Sequence, residues 1–266
     1  MKLLPFLLGF LIALASCNRD IDLKLPEYAP KLTVEFYLEN GKPLRCLLQE
    51  SVNYTDDRII NLVENALVTL SHNGIVDTLQ NAFFFDPTFN KIYNYYNPTI
   101  LTLQNGDEFK LYIRDIEGKE LFASTKYVNP IEIDTAVYDF NDQNLARVGL
   151  EFVDEASEID FYRIVAFPSD TVVDEESTFS FITTDDLFNG QPFSFFTSFR
   201  FERDQKVMTR LYSMPRDYYD FLQSVATARQ SNFNPFGQPA PIKSNVNGGL
   251  GIFTALSYAE IELEIE

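Results

Sequence analysis

Cys17 is the side chain in this sequence with the most definite chemistry. It follows Leu14, Ala15 and Ser16 at the end of an apolar run, the pattern at which a leader is removed in front of a cysteine. The new N-terminal residue then takes up a diacylglycerol thioether and an N-acyl chain, and only a thiol can form that thioether. Lys2 supplies the positive start and Leu3 to Leu14 the apolar stretch, which is shorter than the roughly 20 residues of a membrane-spanning helix. Residues 1–16 are therefore expected to be a lipoprotein signal peptide. Cys17 becomes a lipid anchor whose several chains, at about 0.8 kcal/mol per buried methylene, hold a bilayer stably.

The remaining reactive side chains are few. The single histidine, His72, stands beside the turn dipeptide Asn73-Gly74, and nothing in the sequence brings a serine and a carboxylate to it for a catalytic triad. His72 and Cys46 cannot make a four-ligand zinc shell between them, and Cys46 reads as a small buried hydrophobe. Gly248-Gly249-Leu250-Gly251 lacks the following lysine and the strand-to-helix setting of a phosphate cradle, so it reads as a tight turn into a strand. Asp185, Asp186 and Asn189-Gly190 offer hard oxygens without the spacing of a twelve-residue calcium loop. No metal and no cofactor is expected. Paired carboxylates for hydrolysis cannot be picked out among 39 acidic residues, where coincidental pairs are inevitable.

Those groups must be positioned by a mostly β chain. Of 266 residues 45% are hydrophobic, with 25 Phe and 14 Tyr, and aromatic side chains favour strands. Removal of the leader leaves 250 residues, enough for two compact units. With Cys46 as the only other cysteine no internal disulfide can form, so the cores supply the stability. The net charge of -18 repels phosphate backbones and excludes nucleic acid as a natural partner.

Residues 17–30, with Pro26 and Pro30, suit a tether. Leu32, Val34, Phe36 and Leu38 alternate with polar or amphipathic residues, turn at Asn40-Gly41 and return over Leu44 to Gln49, a type I′ hairpin on this reading. A second hairpin runs from Ala66–Leu70 through Asn73-Gly74 to Ile75–Leu79, and a third pairs Phe109–Ile113 with Leu121–Thr125. Pro130 ends this set, which places one β-sandwich at 31–130 and a second at 131–266, both immunoglobulin-like. In the second, Ile131 to Asp134 starts a fresh alternation, and Val148–Phe152, Tyr162–Phe167 and Val207–Leu211 read as strands. Phe193, Phe195, Phe199 and Phe201 read as a hairpin. One amphipathic helix is expected over about 215–230, with Ser213 as N-cap and Tyr218, Phe221, Leu222 and Val225 as its apolar stripe. Asn232 to Gly249 is a long loop rich in proline and glycine, and long ordered loops often carry function.

Several stretches together resemble a known family. Leu14-Ala15-Ser16-Cys17, Ile21 to Pro26, Pro30 to Glu35, Asp186-Leu187-Phe188-Asn189-Gly190, Tyr218 to Leu222, Asn234-Pro235-Phe236 and Asn245 to Phe253 look like the Bacteroidota lipoproteins grouped as domain of unknown function 4249. The resemblance implies a place at the outer membrane, beside a TonB-dependent receptor, and it brings no catalytic residues. Asp20 and Asp22 are similar to signals that send such lipoproteins to the cell surface. On this basis the chain is expected to be a non-enzymatic binding or accessory subunit of receptor-linked nutrient uptake. The alternative is a surface-polymer hydrolase with an unlocated carboxylate pair. The expected contacts for the receptor, or for a small-molecule or glycan ligand, are Tyr93, Tyr95 and Tyr96 as an exposed aromatic cluster, and Phe233, Phe236, Asn245 and Asn247 in the long loop.

Overall fold

The computed structural model describes residues 29–52, 60–156, 159–170, 173, 176–233, 238 and 240–266. The expected signal peptide, Cys17, most of the expected 17–30 tether and Phe236 lie outside the described residues. The protein is mainly β. Among the described residues there are sixteen strands and one helix, and no helix is long and apolar enough to cross a membrane.

The first hairpin joins β1 (Leu32–Glu39) to β2 (Pro43–Glu50). Leu32, Val34, Phe36 and Leu38 are all buried while their neighbours are half-buried, the signature of a strand with one face in a core. Its turn differs from the type I′ expectation, because only Gly41 has a positive φ. Asn40 instead uses its side chain to accept a hydrogen bond from the Leu103 N–H at 3.0 Å. Asn73 and Gly74, between β4 (Leu67–His72) and β5 (Ile75–Asp86), both have positive φ, as type I′ geometry requires.

β5 is twelve residues long and changes sheets along its length. Ile75 to Leu79 pair β4, and from Gln80 onward the strand pairs β6 (Lys91–Ile100), with an irregularity in that ladder between Asn81 and Phe84. A bulge bends a strand and lets it turn a corner. The layer β1–β2–β6 thus continues into the layer β4, β7 (Glu108–Arg114) and β8 (Glu120–Lys126). Phe36, Leu48, Leu70, Phe109 and Leu121 meet in the core between them. β3 (Asn61–Leu62) pairs with β2.

The second half has three layers. β9 (Thr135–Phe140), β10 (Ala146–Val153) and β13 (Pro192–Phe196) form a three-stranded sheet. It packs on β12 (Phe179–Thr184), β11 (Phe161–Pro168), β14 (Lys206–Met214) and the end of β16 (Leu250–Glu264). The helix α1 (Arg216–Phe233) covers the other face of that sheet. The expected Phe193–Phe201 hairpin is not formed. β13 pairs with β10, and Phe201 makes an isolated bridge to Ala146. Ile131 and Ile133 are not in a strand either; they pack beside Phe152 and Tyr162.

Two further expectations change. Ser213 is not the cap of α1, because it lies in β14 and its hydroxyl accepts the Ile131 N–H at 3.2 Å. The first helical amides, of Tyr218 and Tyr219, donate to the Pro215 carbonyl instead. The split between 31–130 and 131–266 also fails to describe the last element. Leu250 to Leu256 pair in parallel with β1, while Ser257 to Glu264 pair with β14, so one continuous strand is shared by both sandwiches.

Candidate functional site

A large concavity lies between α1 and the outer face of β11, β12 and β14, and measures about 930 Å³. Helical periodicity puts Leu222, Val225 and Arg229 on the wall facing the sheet, and strand alternation puts Arg163, Val165 and Phe167 opposite them. The expected stripe is therefore split. Tyr218 is buried, whereas Leu222 and Val225 are half-buried and line the cleft. Arg163 is held in place from two sides: its Nε donates to Ser180 Oγ and its Nη1 to Tyr218 Oη, each at 3.0 Å. Its guanidinium carbon lies 5.8 Å from the Tyr212 ring centroid. Burial pushes the Tyr212 and Tyr218 phenols up, opposed by Arg210 and then Arg163 at the first and by Arg163 at the second. Both hydroxyls thus stay protonated. Among the described residues the wall contains two arginines and no carboxylate, in a chain with a net charge of -18.

A smaller cleft of about 370 Å³ lies near β7, β8 and the start of α1, with Glu108, Asp217 and Asn245 on its lining.

The expected aromatic cluster is structural. Tyr93, Asn94 and Tyr95 are consecutive buried residues of β6. Tyr95 Oη accepts the Ala66 N–H at 2.8 Å and donates to the Val63 carbonyl at 3.2 Å. Asn94 bridges the backbones of Leu48 and Val63. Tyr93 lies beneath Arg45 and Lys91, with ring-centroid distances of 5.2 and 5.7 Å, and burial pushes its phenol up to about 12. Tyr96 is half-buried, stacked on Phe84 with centroids 5.4 Å apart.

Asn245 is corrected in the same way. Its side chain forks onto the backbone of Phe253, donating to the carbonyl at 2.7 Å and accepting from the N–H at 3.0 Å. Asn247 is exposed, in the short strand β15 (Val246–Asn247) that pairs with β8. The Asn232–Gly249 stretch is therefore not wholly irregular. Phe233 closes α1, but its side chain, like all of Phe236, lies outside the described residues. Gly248 and Gly251 carry positive φ, and a Cβ would sit 2.1 Å from the Glu120 carbonyl oxygen at the first and 1.9 Å from that of Val34 at the second. These glycines thread the chain between β8 and β1.

His72 Nε2 lies 3.1 Å from Asp77 Oδ2 and its ring packs on Phe109, with no nucleophile among the bonds it makes. Cys46 is fully buried and burial raises its thiol well above the ordinary range. Asp186 and Gly190, whose spacing is not that of a calcium loop, turn to separate partners. Asp186 accepts from Thr184 Oγ1 at 2.7 Å and the Gly190 N–H turns to Asp154. Asp154 and Asp160 reach Asp185 from elsewhere in the chain. No local spacing signals that meeting.

No curated protein matches the chain. A solved cytokine receptor complex is similar at 10% identity, over 87% of this chain and 96% of that one, with a TM-score of 0.27. Chicken CNTN1 FN1–FN3 domains align at 9% identity over 90% and 68%, with a TM-score of 0.27. Dimeric latent PorU from Porphyromonas gingivalis aligns at 13% identity over 71% and 18%, with a TM-score of 0.21. At the level of family the match is direct: residues 18–262 fit a domain of unknown function, DUF4249, and the chain belongs to that family.

Proposed function

We propose that the chain is a lipid-anchored, non-enzymatic binding subunit of the outer membrane. Acyl groups on Cys17 hold it at the cell surface, and it serves a TonB-dependent receptor in nutrient uptake. The observation that carries this reading is the cleft under α1. It is large enough for a small molecule, with apolar walls and a few fixed polar groups, the usual make-up of a ligand site. Two arginines and no carboxylate suit a ligand with an apolar body and an anionic end. The Leu14-Ala15-Ser16-Cys17 pattern supports the anchor, and the family resemblance supports the receptor.

Affinity purification of the full chain from detergent-solubilised membranes tests the partner. Co-elution of a β-barrel receptor, lost on washing only at high detergent, is the expected result; recovery of the chain alone refutes it. Protease digestion of intact cells should remove the protein if it faces outward.

The rival reading, a polymer hydrolase, has one foothold. Glu108 and Asp217 are the only carboxylates among the described residues that line either cleft. Hydrolysis of surface polysaccharide that vanishes in both Glu108→Gln and Asp217→Asn would establish that reading in place of the first.

A further inference from the structure

Asp185 is buried in a way that ordinary folding does not explain. It is 0% exposed and neither carboxylate oxygen has a hydrogen-bond partner, although an unpaired buried charge is among the costliest features a fold can keep. Its neighbours add to the cost. Oxygens of Asp154, Asp160 and Asp185 all lie within 4.8 Å of one another, and like charges this close repel strongly. Burial pushes the Asp185 carboxyl up; the backbone N–H groups of Asp160 and of Asp185 itself oppose the rise, and the Asp154 and Asp186 charges add to it.

The frame around these oxygens is stiff. Asp154 is 3% exposed, accepts a hydrogen bond from Tyr162 Oη at 2.5 Å and another from the Gly190 N–H at 2.7 Å. The Asp185 N–H donates to the Asp160 carbonyl at 3.2 Å, and its own carbonyl accepts from Phe188 at 2.8 Å. Phe152, Tyr162 and Phe188 pack behind as a mutually contacting aromatic group. Three segments thus converge: the end of β10, the residue before β11, and the turn after β12. A second acidic group, Glu50, Asp115 and Glu117, differs in kind, because Lys119 binds Glu50 at 2.6 Å and Glu117 at 3.0 Å. One lysine thus offsets part of its charge, and Asp115 accepts the backbone N–H groups of Glu117 and Lys119.

We propose that Asp154, Asp160 and Asp185 form a calcium site that ties the β10–β11 turn to the turn following β12. The donor set decides the metal. All three donors are carboxylate oxygens, which suit hard cations and not zinc or copper. Oxygens around calcium lie 2.3–2.6 Å from the ion, so ligands of one ion are at most about 5 Å apart, and this cluster meets that limit. Magnesium usually keeps most of its waters and takes one or two carboxylates, which fits a wall of three less well. Water completes the calcium shell.

The test uses the full purified chain after chelator treatment, with calcium chloride as the only ligand. One calcium per chain should bind, and at a hundredfold excess over the dissociation constant the melting midpoint should rise by about 5 to 10 °C. Equal magnesium should raise it less. Asp185→Asn should abolish the calcium shift. Terbium supplies a reading that needs no loss-of-ligand variant: the chain has no tryptophan, so emission sensitised by the adjacent Tyr162 should appear, be displaced by calcium, and be lost in Tyr162→Phe while calcium binding persists. A wild-type midpoint indifferent to millimolar calcium overturns the proposal. So does a calcium shift that survives in Asp185→Asn, or terbium emission unchanged in Tyr162→Phe.

Discussion

Replacing Gly251 by alanine probes the seam between the two sandwiches. Its φ of +114° is a conformation L residues rarely adopt, and holding one there costs roughly 1–2 kcal/mol. Steric overlap costs more. The new Cβ would meet the Val34 carbonyl oxygen at 1.9 Å and its carbonyl carbon at 2.8 Å. Both are backbone atoms, and Val34 is the residue paired with Gly251 in the parallel β1–β16 ladder. Relief therefore requires moving one strand off the other by about 1 Å, which sacrifices two or so ladder hydrogen bonds at about 1 kcal/mol each. Together the loss is about 3–4 kcal/mol, against a total domain stability of only about 5–15 kcal/mol. Gly41→Ala is the control, because Gly41 has a φ of +71° and nothing within 4 Å of a Cβ; it should cost only the backbone strain. Urea unfolding of both variants separates the contributions. If Gly251→Ala unfolds within about 1 kcal/mol of Gly41→Ala, the steric argument is wrong and the seam is softer than the register implies.

Cys17→Ser should release the protein from the membrane fraction, which cell fractionation and a labelled-palmitate assay both read. Leu222→Ala should cost less than the 2–5 kcal/mol of a fully buried leucine, since Leu222 is half-buried on the cleft wall. A full-sized loss by thermal melting would make that wall core instead of binding surface. Asn245→Ala should lower stability by about 1–3 kcal/mol through two orphaned Phe253 backbone groups, with receptor recovery intact; lost recovery at unchanged stability would restore Asn245 as a contact. Cys46, shielded and with a raised thiol, should resist alkylation at mildly alkaline pH until denaturant is added, as mass spectrometry would show.

Which of these features the sequence made legible follows from how each residue is buried. β1 shows a period of two because only one of its faces enters the core. Tyr93-Asn94-Tyr95 shows no such period because β6 is buried on both sides there, so its amphipathic side chains mimic an exposed patch. β5 hides its change of sheet because its two halves answer to different neighbours. The helix is legible from Tyr218, Phe221, Leu222 and Val225, but its cap is not, since Ser213 is claimed by Ile131 from 82 residues away in the chain. The large cleft needs β11, β12 and α1 assembled before it exists, and the aspartate cluster needs residues 154, 160 and 185 brought together. Both are properties of tertiary packing that no window of sequence contains.

The shared strand β16 also sets the order in which the protein can be finished. A chain that emerges N-terminus first presents β1 early, yet the parallel neighbour of β1 is residues 250–256, which arrive only after β2 to β15. Until then one edge of β1 offers its N–H and C=O groups to any passing strand. The first sandwich is thus incomplete until β16 has been made, an interval in which unpaired edges invite aggregation. A chaperone that shields the nascent chain would have most to protect at this edge, and a chain stopped short of residue 250 would leave neither sandwich closed.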